Sequence, residues 1–61
     1  MKYSEFRRWL RRHGTTFEQH RAGPSHFRAT LNGRSTVFPD HGAKEIGQGL
    51  VEALKKQLGL K

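Results

Sequence analysis

The 61-residue sequence contains no cysteine, which excludes a disulfide framework and a cysteine-based zinc site as supports for its core. It has only two prolines and no run of 18 consecutive apolar residues, so neither a proline-rich linker nor a membrane-spanning helix is expected. The first residues also lack the apolar stretch that forms the core of a secretion signal. These absences favour a protein of the reducing cytoplasm.

Acidic residues are scarce, at five against twelve lysines and arginines, which gives a formal net charge of +7 and an isoelectric point near 11.0. This positive density indicates an anionic partner, which composition alone leaves as nucleic acid, an acidic protein or an anionic membrane surface. The chain is long enough for one small domain, residues 1–61, and too short for a multidomain enzyme with a deep enclosed pocket.

Hydrophobic periodicity predicts a helix near each end of the chain. The first begins at Ser4, a candidate N-cap, and ends at His13, before Gly14. The second covers about residues 43–58, where two internal glycines indicate either a late helix start or a close approach of the sheet. The residues that form the two apolar stripes are Phe6, Trp9, Leu10, His13, Ile46, Leu50, Ala53, Leu54 and Leu58.

Turn signals divide the middle of the chain into three antiparallel strands. Asn32-Gly33 predicts a two-residue type I′ hairpin that pairs Leu31 with Arg34. Gly23-Pro24 separates this hairpin from a first strand over about residues 16–21. The sequence therefore predicts an α+β domain of order α-β-β-β-α, with both helices on one face of a three-stranded antiparallel sheet.

The alternation of side chains along a strand predicts one covered and one uncovered sheet face. The residues expected on the covered face are Phe27, Ala29, Leu31 and Phe38. His26, Arg28 and Thr30 then lie on the uncovered face, open to solvent. The sequence therefore places a histidine and an arginine together on an exposed surface.

Few kinds of catalysis suit this chain. Its four histidines lack the spacing of a zinc site, and it has neither a Gly-x-Ser-x-Gly elbow nor a phosphate-binding glycine loop, so no metal or cofactor is expected. RNA brings its own nucleophile, because its 2′-hydroxyl attacks the adjacent phosphodiester once a base removes the proton. His26 is the candidate base or acid, and Arg28 the candidate for stabilising the phosphoryl oxygens. A histidine at the start of an exposed strand is also commonly a tolerated surface residue.

Other cations are candidates to bind RNA phosphates. The basic face of the first helix is either a solvated surface or an anion-docking surface. Ser25 either donates to a phosphate oxygen or only stabilises its turn. The complete set of candidate RNA-binding residues is Arg28, Arg21, Arg34, Ser25, Arg7 and Arg11.

Short motifs follow one another through nearly the whole chain. They are Lys-x-Ser-Glu-Phe-Arg-Arg-Trp-Leu (2–10), Gly23-Pro24-Ser25-His26, Gly33-Arg34, Val37-Phe38-Pro39 with His41, Glu45-Ile46, and Leu-Lys-Lys-Gln-Leu-Gly-Leu (54–60). In this order they resemble the HicA toxins of bacterial HicAB toxin–antitoxin modules.

The resemblance implies a fold like that of double-stranded-RNA-binding domains and an mRNA endonuclease that arrests growth of a bacterial cell. It implies one essential histidine, which is His26 in this sequence, and leaves open whether His20 or Arg21 assists it. It also implies a HicB-like antitoxin that covers the active face. No metal, small-molecule cofactor or membrane partner is expected. A noncatalytic double-stranded-RNA-binding module and a structural protein that docks onto an acidic subunit are the alternatives.

Overall fold

The computed structural model describes residues 1–19 and 26–60, which contain two helices and three strands. The elements are α1 (Tyr3–Arg12), β1 (Thr16–Gln19), β2 (His26–Leu31), β3 (Arg34–Pro39) and α2 (Gln48–Gln57). The strands form one antiparallel sheet with β2 in the centre, which confirms the predicted fold class. Neither helix in these ranges has the length and apolar character needed to cross a bilayer.

Helix α1 is capped at Lys2 and not at the predicted Ser4. The Glu5 carboxylate in the first turn accepts a hydrogen bond from the backbone N–H of Lys2 at 2.8 Å, so an acidic side chain stabilises this end of the helix. Ser4 lies within the first turn. At the other end, Gly14 adopts the left-handed backbone expected of a helix stop, with a φ of 94°.

Helix α2 begins at Gln48, later than the predicted residue 43. Gly47 is its N-cap, and Gly49 lies in its first turn. A Cβ atom placed on either glycine would meet no atom within 4 Å, so the late start accounts for these glycines and a close approach of the sheet does not. The predicted helix is therefore wrong over residues 43–47.

The segment before α2 pairs with the N-terminal residues of the chain. Lys2 forms an antiparallel bridge with Glu45, and the Ile46 N–H donates to the Met1 carbonyl at 2.9 Å. The Met1 ammonium donates to the Glu45 carboxylate at 2.8 Å, and this hydrogen bond lowers the pKa of Glu45. These contacts hold the start of α1 against the loop that follows β3.

The central hairpin has the predicted register. It runs from His26 opposite Pro39 to Leu31 opposite Arg34. At the turn, Asn32-Gly33 has φ angles of 51° and 81°, the left-handed pair that a type I′ turn requires. Strand β1 begins at Thr16 as predicted, and residues 20 and 21 of the predicted strand lie outside the described residues.

One hydrophobic core lies between the sheet and both helices. Its buried members are Phe6, Leu10, Ala29, Leu31, Phe38, Ile46, Leu54 and Leu58. Trp9 and Leu50 are partly buried against it. His13 and Ala53, which belong to the predicted stripes, are exposed. Ala53 lies off the stripe because the buried side of α2 follows positions 50, 54 and 58, and His13 lies beyond the last residue of α1.

Candidate active site and nucleic-acid interface

The sheet face opposite the helices is open to solvent. Arg28 in the central strand lies opposite Val37 of β3 and Glu18 of β1, and all three side chains are exposed. Their neighbour Ala29, which points to the other face, is fully buried. The sheet therefore has the uncovered face that side-chain alternation predicts.

His26 lies on this open face at the end of the sheet distant from the hairpin turn. It is the first residue of β2, and its partner across the strands is Pro39. Its Nδ1 atom is buried and has no hydrogen-bond partner among the described residues, while the residue as a whole is only half-buried. Nε2 is therefore the ring nitrogen that can exchange a proton with a ligand on the open face.

The imidazole of His26 has no carboxylate partner among the described residues. Asp40 follows the strand partner of His26, but both of its oxygens are occupied. The Arg7 Nη1 atom donates to Oδ2 and the Gly42 N–H donates to Oδ1, each at 2.9 Å. The described geometry therefore differs from a nucleophile–histidine–carboxylate triad.

The described residues also bring together no metal-binding set. Within residues 1–19 and 26–60, no three histidine, aspartate or glutamate side chains form a group that could hold a metal ion.

Arg28 is the predicted phosphate-binding residue that the structure places beside His26. The two residues are about 7 Å apart along the same strand face. The ion pairs formed among the described residues are Met1 with Glu45 and Arg7 with Asp40, so the Arg28 guanidinium is unpaired and exposed. Arg28 is therefore free to bind an anionic group that approaches His26.

Arg34 lies elsewhere. It is paired with Leu31 at the hairpin end, five residues or about 16 Å along the strand from His26. Its side chain extends toward the C-terminal end of α2, where a Cβ atom on Gly59 would lie 3.3 Å from the Arg34 Cδ atom. The structure therefore does not place Arg34 beside His26.

The arginines of α1 divide into two environments. Arg7 is partly buried, and its guanidinium carbon lies 4.3 Å from the centre of the Phe27 ring. Three exposed arginines without ion pairs among the described residues, Arg8, Arg11 and Arg12, form what we call the α1 basic face. An open groove of about 280 Å³ connects the two environments, and its lining residues are Ser4, Arg7, Arg8, Arg11 and Asp40.

Three further predicted residues fall outside the described residues. They are Arg21 and Ser25, which are candidates for RNA binding, and His20, which is a candidate to assist His26. Their predicted roles stay predictions.

The contact of Arg7 with Asp40 is the feature of this region that the sequence did not indicate. The two residues are 33 positions apart. Each residue had only a local signal in the sequence. Arg7 borders the apolar stripe between Phe6 and Leu10, and Asp40 begins an Asp-x-Gly turn directly after β3.

The fold and the site together define a small basic α+β domain whose open sheet face carries a histidine and an unpaired arginine. Residues 3–60 match the family described as the HicA toxin of bacterial toxin-antitoxin, and the chain belongs to this family. This match confirms the resemblance that the sequence motifs carry.

Curated relatives match over nearly their full length. The chain is 62% identical over 61 residues to a probable mRNA interferase HicA of Pseudomonas fluorescens (strain Pf0-1), covering 100% of this chain and 98% of the relative. It is 43% identical over 60 residues to the probable mRNA interferase toxin HicA of Escherichia coli (strain K12), covering 98% of each. Its fold is similar to a chain in the crystal structure of the E. coli HicAB toxin-antitoxin complex, with a TM-score of 0.87, 42% identity, and coverage of 98% of this chain and 100% of that one.

Proposed function

We propose that this chain is a single-domain toxin of a type II toxin–antitoxin system and an endoribonuclease that cleaves mRNA through His26. The observation that carries the proposal is the position of this half-buried imidazole, with its Nδ1 atom buried, on a face shared with the unpaired Arg28. The names of the two relatives, which are 62% and 43% identical, support the same activity.

The proposed reaction is an internal transfer at phosphorus. The RNA 2′-oxygen bonds to the adjacent phosphorus as the bond from phosphorus to the 5′-oxygen breaks. The 2′-hydroxyl proton passes to a base, and the departing 5′-oxygen takes a proton from an acid. Nε2 of His26 supplies the base, the acid or both, and such transfers contribute about 10²- to 10⁴-fold to a rate. Arg28 stabilises the negative charge on the nonbridging oxygens.

This scheme requires no metal ion, because the substrate provides the nucleophile and an arginine provides the compensating charge. We therefore expect the purified protein to cut a long single-stranded RNA in EDTA as fast as in Mg²⁺, and to leave a DNA of the same sequence intact. Gel analysis of both substrates measures this. Loss of RNA cleavage in EDTA with recovery in Mg²⁺ would contradict metal independence. RNA binding without any cleavage would favour the noncatalytic binding module.

The α1 basic face is proposed to bind RNA phosphates outside the cleavage site. Arg8, Arg11 and Arg12 project from one side of the helix at three- and four-residue spacing, and each phosphate that they neutralise releases counterions.

We expect Arg11→Gln to weaken RNA binding and to reduce the slope of log K against log salt by roughly 0.7, the value for one contact with a single strand. Fluorescence anisotropy at several salt concentrations, in a His26→Ala background that leaves the RNA uncut, measures the slope. Lys44→Gln removes an equal charge from an exposed loop position as the control. An identical loss of slope in both variants would rule out a specific contact at Arg11.

An antitoxin of the HicB type is the proposed protein partner, and the bacterial cytoplasm the proposed compartment. The complex solved for the E. coli relative supports such a partner. The open face offers Val37, whose side chain is 42% exposed, beside Arg28, and the net charge of +7 favours an acidic partner. An antitoxin on this face would prevent RNA from reaching His26.

A further inference from the structure

We infer that Arg7 is a positioning residue, which together with Asp40 and Phe27 holds the end of the sheet that carries His26. This role replaces the phosphate contact that the sequence predicts for Arg7. Its catalytic consequence rests on the proposed function, whereas its structural consequence at His26 does not.

The first contact lies on the strand of His26 itself. The Arg7 guanidinium carbon is 4.3 Å from the ring centre of Phe27 and 5.2 Å from that of Phe17 in the neighbouring strand. Both distances are within the range of cation–π attraction. Phe27 directly follows His26, so the stacked guanidinium restrains the residue next to the imidazole from the helix side of the sheet.

The second contact lies beside the strand partner of His26. Arg7 Nη1 donates to Asp40 Oδ2 at 2.9 Å, and the side chains of Arg7 and Asp40 are only 29% and 14% exposed. Asp40 directly follows Pro39, which is opposite His26. The Arg7 guanidinium therefore contacts Phe27, the residue after His26, and Asp40, the residue after the strand partner of His26.

His26 depends on this kind of support because it stands at the end of β2. Its Nδ1 atom has no hydrogen-bond partner among the described residues, so no described carboxylate orients the ring. Strand ends open more readily than strand centres unless other contacts hold them. The contacts of Arg7 with Phe27 and Asp40 close this end of the sheet against α1 and thereby fix the direction in which Nε2 points.

The same contacts make Arg7 a poor phosphate ligand. A phosphate could reach only the N–H groups that Asp40 leaves, and one that drew the guanidinium away would leave the Asp40 carboxylate mostly buried without its cation. A lysine would keep the positive charge, but it could not stack on Phe27 and donate to Asp40 at the same time. Arg7→Lys should therefore keep only part of the function of Arg7.

The kinetic test compares Arg7→Gln, Asp40→Asn and the double variant with Arg11→Gln and with Lys56→Gln, a charge control on the exposed side of α2. We expect Arg7→Gln to lower kcat for RNA cleavage by about 10- to 100-fold, the range that a misplacement of up to 1 Å costs, with KM unchanged. Asp40→Asn should act in the same direction, the double variant should lose no more than Arg7→Gln alone, and Arg7→Lys should recover part of kcat. Arg11→Gln should raise KM, and Lys56→Gln should match the unaltered chain.

A second measurement is independent of cleavage. The Cε1–Hε1 NMR signal of His26, recorded without RNA and well below each variant's melting temperature, should shift and broaden in Arg7→Gln and Asp40→Asn but not in Arg11→Gln or Lys56→Gln. An unshifted signal in folded Arg7→Gln would overturn the positioning role, as would a change in KM alone. If the unaltered chain cut no RNA while the signal shifted, the proposed function would fail and the positioning of His26 by Arg7 would stand.

Discussion

Replacing His26 with alanine is expected to lower RNA cleavage by at least about 10²-fold, because the imidazole proposed to move the 2′-hydroxyl proton is then missing. Binding of RNA should persist, since Arg28 and the α1 basic face are unchanged. Initial rates on a long single-stranded RNA, together with anisotropy of the bound RNA, separate loss of chemistry from loss of affinity.

His13→Ala is the matched control for this prediction. His13 is an exposed histidine at the C-cap of α1, where its ring centre lies 4.0 Å from that of Trp9. The His13→Ala variant should cut RNA as fast as the unaltered chain, and circular dichroism should show that both His13→Ala and His26→Ala are folded. Equal cleavage by folded His26→Ala and His13→Ala would mean that His26 is not the catalytic residue.

Phe38→Ala is expected to remove roughly a third or more of the protein's free energy of unfolding. Phe38 is fully buried, and its ring centre lies 6.2 Å, 6.3 Å and 5.7 Å from those of Tyr3, Phe6 and Phe17. Removing such a ring costs about 3–5 kcal/mol, while a chain of this length has a total stability of roughly 3–9 kcal/mol. Urea denaturation followed by circular dichroism measures the loss.

The adjacent position provides the control for the core prediction. Val37 precedes Phe38 in β3 but points to the open face, so Val37→Thr keeps a β-branched side chain and should change stability by less than about 0.5 kcal/mol. Stability of Phe38→Ala equal to that of Val37→Thr would contradict the assignment of Phe38 to the core.

The parts of the fold that follow local rules could be predicted from the sequence. The Asn32-Gly33 turn determines the hairpin register, and strand alternation then assigns the covered and open faces. The start of α2 could not be predicted in this way. Ile46 continues the apolar pattern of α2, but residues 44–46 pair with residues 1–3 at the other end of the chain, and this long-range contact leaves no local signal.

The same distinction applies to the candidate site. His26 and Arg28 share a face because they are two residues apart on one strand, which the sequence shows directly. Arg34 is distant from His26 because it lies opposite the buried Leu31 at the other end of the hairpin. The predicted register already implies this position, but the positive charge of Arg34 makes it a phosphate-binding candidate in the sequence. Arg7 could not be separated from its neighbouring arginines, because its partners Asp40 and Phe27 come close only in the folded chain.

The chemical nature of the fragment ends tests most directly whether His26 activates the RNA 2′-oxygen. Long single-stranded RNA is incubated in EDTA with the unaltered chain or with His26→Ala, and the termini are mapped. We expect 2′,3′-cyclic phosphate and 5′-hydroxyl ends from the unaltered chain and neither from His26→Ala. Fragments with 3′-hydroxyl and 5′-phosphate ends, or cyclic ends produced equally by His26→Ala, would contradict this role of His26.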